Sequence, residues 1–323
     1  MNRWQSHLIT PSGTGIPLRQ QVARLLEQQR STWELFRNGE AALSRIVTRR
    51  LIIDGHDVIV QANPGRSIST NAKVDAESVA NRPCFLCPGS LPPQERGVAF
   101  GDYIVLPNPY PVLRSHLTIA FNRHEPQHID GRLHDLCTLA KALGPDLFIL
   151  YNGPRCGASA PDHLHFQACS AQGVPLFDQL PVKESCDMPR SVTLCGRNVL
   201  TGSFSRIESA ARFLATALSV LKGITGSTGE PLVNIVIRFR DGRFSVALFP
   251  RAKHRSACFF AEPSQRLSIS PAAVEMAGVI VVADRSHFDR VDAPAIQSIY
   301  REVTMEDTLF SNFVKAVQCA KNP

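Results

Sequence analysis

The chain has 323 residues, 44% of them hydrophobic and 20% charged, which is ordinary for a globular protein and enough for one large domain or two smaller ones. A formal charge of +7 favours an anionic ligand, but there is no long basic run and no base-stacking aromatic motif, so nucleic acid is not the expected partner. No apolar stretch is long enough for a membrane span, Met1–Gln20 lacks the apolar core of a secretory signal, and nine irregularly spaced cysteines speak for a reducing cytoplasm rather than a disulfide framework.

Residues 10–50 read as largely helical, with Leu18, Val22, Leu25 and Leu26, then Phe36, Leu43 and Val47, at helical spacing. Leu51–Ile53 and Val58–Val60 around Asp54-Gly55 read as a hairpin. Arg66 and Lys73 follow a loop, either as phosphate-binding cations or as solvated side chains. Cys84-Phe85-Leu86-Cys87 can present two thiolates to a metal, act as a redox pair, or be plain thiols. Two strands come next, Tyr103–Leu106 and His116–Ala120, joined by a turn at Asn108-Pro109-Tyr110-Pro111, and His124 lies a few residues on. Asp130–Leu143 is an amphipathic helix, with Leu133, Leu136, Leu139, Ala140 and Leu143 on one face.

Leu147–Tyr151 is a buried strand that runs into a glycine-rich turn, Asn152–Ser159, whose free backbone N–H groups can cradle an anion. The next strand alternates His163, His165 and Gln167 on one face with Leu164 and Phe166 on the other. An imidazole nucleophile beside a phosphate cradle points to phosphoryl or nucleotidyl transfer through a covalent histidine. The other reading of these histidines is a catalytic zinc with Asp162 nearby, which leaves the glycine turn and Gln167 without a role. Residues 170–200 read as a crossover and 205–222 as a helix. Val233–Phe239 and Phe244–Phe249 form a hairpin around Asp241-Gly242, followed by the basic cluster Pro250–Arg255. Val274–Ala283 is a buried apolar segment, and Ile296–Val317 a closing helix. The class is α+β: an antiparallel sheet with flanking helices.

Gly157-Ala158-Ser159, Asp162-His163, His165 and Gln167 together resemble the active-site segment of the histidine-triad superfamily. The similarity is to its transferase branch, which contains galactose-1-phosphate uridylyltransferase, diadenosine tetraphosphate phosphorylase and GDP-hexose phosphorylase, and in which glutamine replaces the last histidine. Some members have one residue fewer than the Ala160-Pro161-Asp162 found here. The resemblance implies a HIT-like fold in tandem: an N-terminal helical region 1–50, a catalytic half 51–170, a crossover 171–200, and a second half 201–323 without the nucleophile.

It further implies that His165 is the nucleophile, its other ring nitrogen bonded to a carbonyl of the glycine turn. Gln167, Ser159 and the N–H groups around Gly157 would stabilise the phosphate. Asn108 and Asn152 would contact the substrate, with Arg66, Lys73, Arg251 and Lys253 as candidate phosphate or sugar ligands. Cys84, Cys87, His124 and His163 correspond to a structural zinc site of Cys2His2 type. His116 either supports the active-site loop or is a core histidine. The implied substrates are a nucleoside diphosphate sugar or dinucleoside polyphosphate and an acceptor phosphate or sugar phosphate, and the implied assembly is a homodimer. A nucleotide hydrolase of the same fold and a non-enzymatic, zinc-stabilised nucleic-acid-binding module are the competing readings. Base, sugar and acceptor stay open at this level.

Overall fold

A computed structural model describes residues 4–9, 15–66, 76–180 and 189–320. Its centre is a nine-stranded antiparallel sheet. The strands are β3 (Val98–Phe100), β4 (Tyr103–Pro107), β5 (Leu117–Phe121), β6 (Leu147–Asn152), β7 (His165–Ser170), β8 (Arg190–Leu194), β9 (Arg197–Phe204), β10 (Val233–Arg240) and β11 (Arg243–Pro250). They lie in the order β3-β4-β5-β7-β6-β10-β11-β9-β8. A smaller sheet pairs the hairpin β1 (Val47–Ile53) and β2 (His56–Ala62) with β12 (Val279–Val282), which runs parallel to β2.

Period-two alternation decides which side chain meets which layer. Leu164, Phe166 and Ala168 enter the core beneath the helices Leu18–Thr32, Leu133–Leu143, Ile207–Thr225 and Asp307–Cys319. On the opposite face, Cys169 joins a second core with the small sheet and the helix Ala293–Val303. His165 and Gln167 share the parity of Cys169, so they face away from the first core, His165 towards the N-terminal wall around Leu86 and Gln167 between that wall and the C-terminal part of the chain. The α+β antiparallel architecture read from the sequence is the one observed.

Three local readings change. The helical run stops at Leu43, and Val47 opens β1. The Thr48-Arg49-Arg50 segment carries no apolar alternation of its own, and full antiparallel pairing with β2 makes it a strand. The stretch read as a crossover contains β8 and the start of β9, joined by Cys195-Gly196 with φ of 55° and 87°. Cysteine is no turn signal, so this hairpin leaves little trace in the sequence. The closing helix is two helices, Ala293–Val303 and Asp307–Cys319. Between them Met305 N–H donates to the Pro250 carbonyl (3.0 Å), and the Glu306 side chain accepts from the N–H groups of Thr308 and Leu309. No helix among the described residues is long and apolar enough to cross a membrane.

Candidate active site

The site is built where β6 ends and β7 begins. Between them the chain turns through residues 153–164, and Gly157 adopts a φ of 98°. A Cβ there would also meet the Ala272 Cβ at 2.5 Å, so both backbone conformation and space require glycine. Buried Gln127 fastens the two strand ends. Its Oε1 accepts the His165 N–H (2.8 Å), and its Nε2 donates to the carbonyls of Asn152 (2.9 Å) and His165 (3.0 Å).

His165 is 3% exposed. Its Nδ1 lies 2.8 Å from the His163 carbonyl, which can only accept, so Nδ1 carries the proton and Nε2 the lone pair. The carbonyl is that of His163 and not one from the glycine turn, because the bend just before β7 brings the backbone of residue 163 back over the ring. Burial pulls the His165 imidazole down to about 4.

A second buried imidazole sets the glutamine. His116 Nδ1 accepts the Val112 N–H (3.3 Å), so its proton sits on Nε2, which donates to Gln167 Oε1 (2.8 Å). Burial, and then the charge of Arg66, hold His116 down to about 3, so it stays neutral. The amide orientation of Gln167 follows: oxygen to His116, NH₂ group towards the site.

Two cavities meet at this wall. The first, of about 460 Å³, is lined by His165, Gln167, Ser159, Arg66 and Asn108 and by apolar side chains including Leu35, Phe85, Leu86 and Tyr110. That volume lies in the usual range for small-molecule sites, roughly 300–1,000 Å³. The second, of about 60 Å³, is polar, with Arg66, Asn152, Ser159, Gln167, His254 and Arg255 around it. Arg66, Ser159 and Gln167 belong to both. Arg66 donates to the Tyr110 carbonyl (3.1 Å). His254 Nε2 meets Ser270 Oγ at 3.0 Å, and burial holds this imidazole down to about 3. Glu275 also lines the second cavity, and burial pushes its carboxyl up to about 7, which lessens its repulsion of an anion.

Cys84, Cys87, His124 and His163 converge, with their donor atoms all within 4.8 Å of one another. The separations are 3.3 Å for Cys84 Sγ–His163 Nδ1, 3.4 Å for Cys87 Sγ–His124 Nδ1 and 3.6 Å for Cys87 Sγ–His163 Nδ1. Metal–sulfur and metal–nitrogen bonds of zinc length set tetrahedrally give an S···N edge of about 3.5 Å. His163 Nε2 donates to the Phe121 carbonyl (2.8 Å), which leaves Nδ1 free to ligate. The quartet can hold a metal ion. Arg82 ties it to the glycine loop, pairing with Asp162 at 2.8 Å and stacking over Phe85.

Most residues read from the sequence thus come together, but not all. Asn108 lines the first cavity, its Oδ1 accepting the Tyr110 N–H. Asn152 lines the second, its Oδ1 accepting from Asn234 Nδ2 and the Ala273 N–H. Lys73 lies outside the described residues. Arg251 and Lys253 line neither cavity. Arg251 is buried, and its guanidinium donates to Asn234 Oδ1 and to the carbonyls of Pro271, Val303, Lys253 and His254. Lys253 points outward to Glu302. From the same basic cluster, His254 and Arg255 are the ones at the cavity, since the chain has left its strand after Pro250 and alternation no longer applies. Gln127 is the residue that sequence reasoning misses: it sits in an irregular, proline-containing segment, where no periodicity marks a buried polar residue.

Residues 25–170 match a family model described as a domain of unknown function (DUF4922), and residues 203–321 match one described as GDPGP1-like, C-terminal domain. No curated protein matches the chain. Among solved structures, yeast Ap4A phosphorylase Apa2 in complex with AMP superimposes with a TM-score of 0.61 at 16% identity, covering 90% of this chain and 96% of that one. The same yeast enzyme with Ap4A gives 0.59 at 16% identity, over 89% and 97%. The chain therefore shares the fold of that yeast phosphorylase over nine-tenths of its length.

Proposed function

We propose that the protein is a nucleotidyltransferase of the phosphorylase type, acting on a nucleoside diphosphate sugar or a dinucleoside polyphosphate through His165. The observation that carries this is the bonding of His165: Nδ1 donates to the His163 carbonyl, while Nε2 has no partner among the described residues and the ring lines the larger cavity. The enzyme that shares the fold is named for phosphorolysis of Ap4A, and the family model matching the C-terminal part is named GDPGP1-like.

Nε2 attacks the α-phosphorus as the bond from that phosphorus to the bridging oxygen breaks. The electron pair stays with the leaving phosphate, which departs as an anion. Inorganic phosphate or a sugar phosphate then attacks the same phosphorus, and the P–N electron pair returns to Nε2. Two displacements at one centre give ping-pong kinetics. The Gln167 NH₂ group donates to a non-bridging oxygen, and Ser159 and the N–H groups near Gly157 support the developing charge. Loss of one such donor costs roughly 3 kcal/mol of transition-state stabilisation. The apolar larger cavity suits the nucleoside, and the smaller one, with Arg66 and Arg255, suits the phosphate that leaves or enters.

Zinc is the metal we assign to Cys84, Cys87, His124 and His163, in a structural role. Bound there, it would cross-link the knuckle to His163, whose carbonyl orients His165. Cys84→Ser should lose most of the zinc and melt at lower temperature; full zinc retention in this variant would overturn the assignment.

The function is tested by intact-protein mass after incubation with nucleoside diphosphate sugars and dinucleoside polyphosphates in the absence of acceptor. An acid-labile adduct of one nucleoside monophosphate is expected. In His165→Ala the adduct should vanish and turnover fall by at least about 10³-fold while the fold persists. No adduct with any donor, or an adduct that survives in the variant, would overturn the reading.

A further inference from the structure

Cys84 and Cys87 form the one Cys-x-x-Cys of the chain. Both are free thiols and half-buried, whereas Cys137, Cys156, Cys169 and Cys195 are fully buried. Cys87 lies on the solvent side, its Sγ 3.4 Å from Nδ1 of the exposed His124, and Cys84 lies inward, its Sγ 3.3 Å from Nδ1 of the buried His163. The backbone between them is a tight turn in which the Cys87 N–H donates to the Cys84 carbonyl (3.2 Å). Such a turn keeps its first and fourth Cα atoms within roughly 7 Å, about the span that a disulfide bridges. The two sulfurs are at most 4.8 Å apart. The pair can thus serve a metal or bond to itself, but not both, because only thiolates ligate. What sits on this turn makes the choice matter. Phe85 and Leu86, its two central residues, line the larger cavity. Leu86 also packs with Trp4, Leu91, Ile104 and Ala160 behind the cavity wall. His163 ties the quartet to the nucleophile: its Nδ1 faces both sulfurs, and its carbonyl accepts from His165 Nδ1. Drawing the sulfurs together to about 2.05 Å therefore moves the wall and takes the sulfur partners of His163 away at once.

We propose that Cys84 and Cys87 are a reversible oxidation site: a hydroperoxide converts them to a disulfide, the metal quartet falls to two histidines, and the cavity wall at Phe85 and Leu86 loosens until a dithiol reductant restores it. The inference rests on the zinc assigned above and not on the nucleotide chemistry. The Cys87 thiolate, nearer to solvent, attacks one peroxide oxygen. The S–O bond forms as the O–O bond breaks, and the other oxygen leaves as hydroxide or alkoxide. The Cys84 thiolate then attacks the oxidised sulfur, the S–S bond forms, and the S–O electron pair leaves with hydroxide. Two electrons pass from the sulfurs to the peroxide, and a dithiol returns them by thiol–disulfide exchange.

The test follows the zinc-loaded full chain through a titration with hydrogen peroxide. Zinc should pass to a chromophoric chelator, one ion per chain, and peptide mass mapping should find Cys84 joined to Cys87. Amide hydrogen exchange over residues 84–91 should quicken by about tenfold or more. All three changes should reverse with dithiothreitol and added zinc. Cys258→Ser and Cys319→Ser, which remove the thiols elsewhere that solvent reaches, should respond as the wild type does; loss of the response in either would place the oxidation site there instead. Zinc held in excess peroxide, or a disulfide formed with exchange over 84–91 unchanged, would overturn the proposal. A chain purified without bound zinc that takes up none on addition would overturn the metal assignment and the proposal with it. The nucleotidyl-transfer reading would survive either result, since the His165 adduct judges it separately.

Discussion

His165, at the start of β7, and Arg251, just past the end of β11, are buried to the same depth, each 3% exposed. Both are nitrogen-bearing side chains of the kind that reads as functional in a phosphate-handling sequence. Their bonding separates them. Arg251 directs its three guanidinium nitrogens to five oxygens and acts as a bracket between β10, the 253–254 loop and the end of the Ala293–Val303 helix. His165 makes one side-chain bond and keeps its second nitrogen for the cavity. Depth of burial does not tell a structural polar group from a working one; unused hydrogen-bonding capacity does. The same contrast holds between Gln127, whose side chain serves three backbone groups, and Gln167, which gives its oxygen to His116 and turns its amine to the site.

Arg251→Met is the strongest way to break this contrast. It strands Asn234 and several carbonyls without a donor, and should destabilise the protein by about 3 kcal/mol in urea unfolding. Adduct formation in the folded fraction should be preserved; loss of chemistry at unchanged stability would place Arg251 in the site after all. A smaller and opposite effect is expected at His116. His116→Phe leaves Gln167 free to rotate, and kcat should fall by about 10- to 100-fold with little change in KM. If His116 only fills the core, the melting temperature will move and kcat will not. Lys253→Ala should matter least, because an exposed pair such as Lys253–Glu302 contributes about 0–1 kcal/mol. A large rise in KM for phosphate in that variant would restore Lys253 as a substrate ligand.

Regular structure and glycine punctuation were legible in the sequence. The hairpin at Asp54-Gly55, the amphipathic helix ending at Leu143 and the His165–Gln167 alternation all appear where local pattern placed them. The metal quartet was reachable only through resemblance, since nothing local links Cys84 and Cys87 to His124 and His163. What stayed hidden depends on tertiary partners. Thr304–Glu306 interrupts a helix without glycine or proline, because β11 supplies the hydrogen bond at Pro250. His254 and Arg255, rather than Arg251 and Lys253, reach the cavity through a loop path that no periodicity describes.

The two stretches matched by separate family models are joined by a seam. β6 and β10 pair antiparallel over five residues, Phe148–Asn152 against Arg238–Asn234, in the middle of the large sheet. Splitting the chain between them would bare two long, apolar strand edges, each a template for the other and for any further copy. Separately produced halves should therefore seek each other out or polymerise, and a library of natural or engineered variants should exchange whole chains more readily than it shuffles these parts.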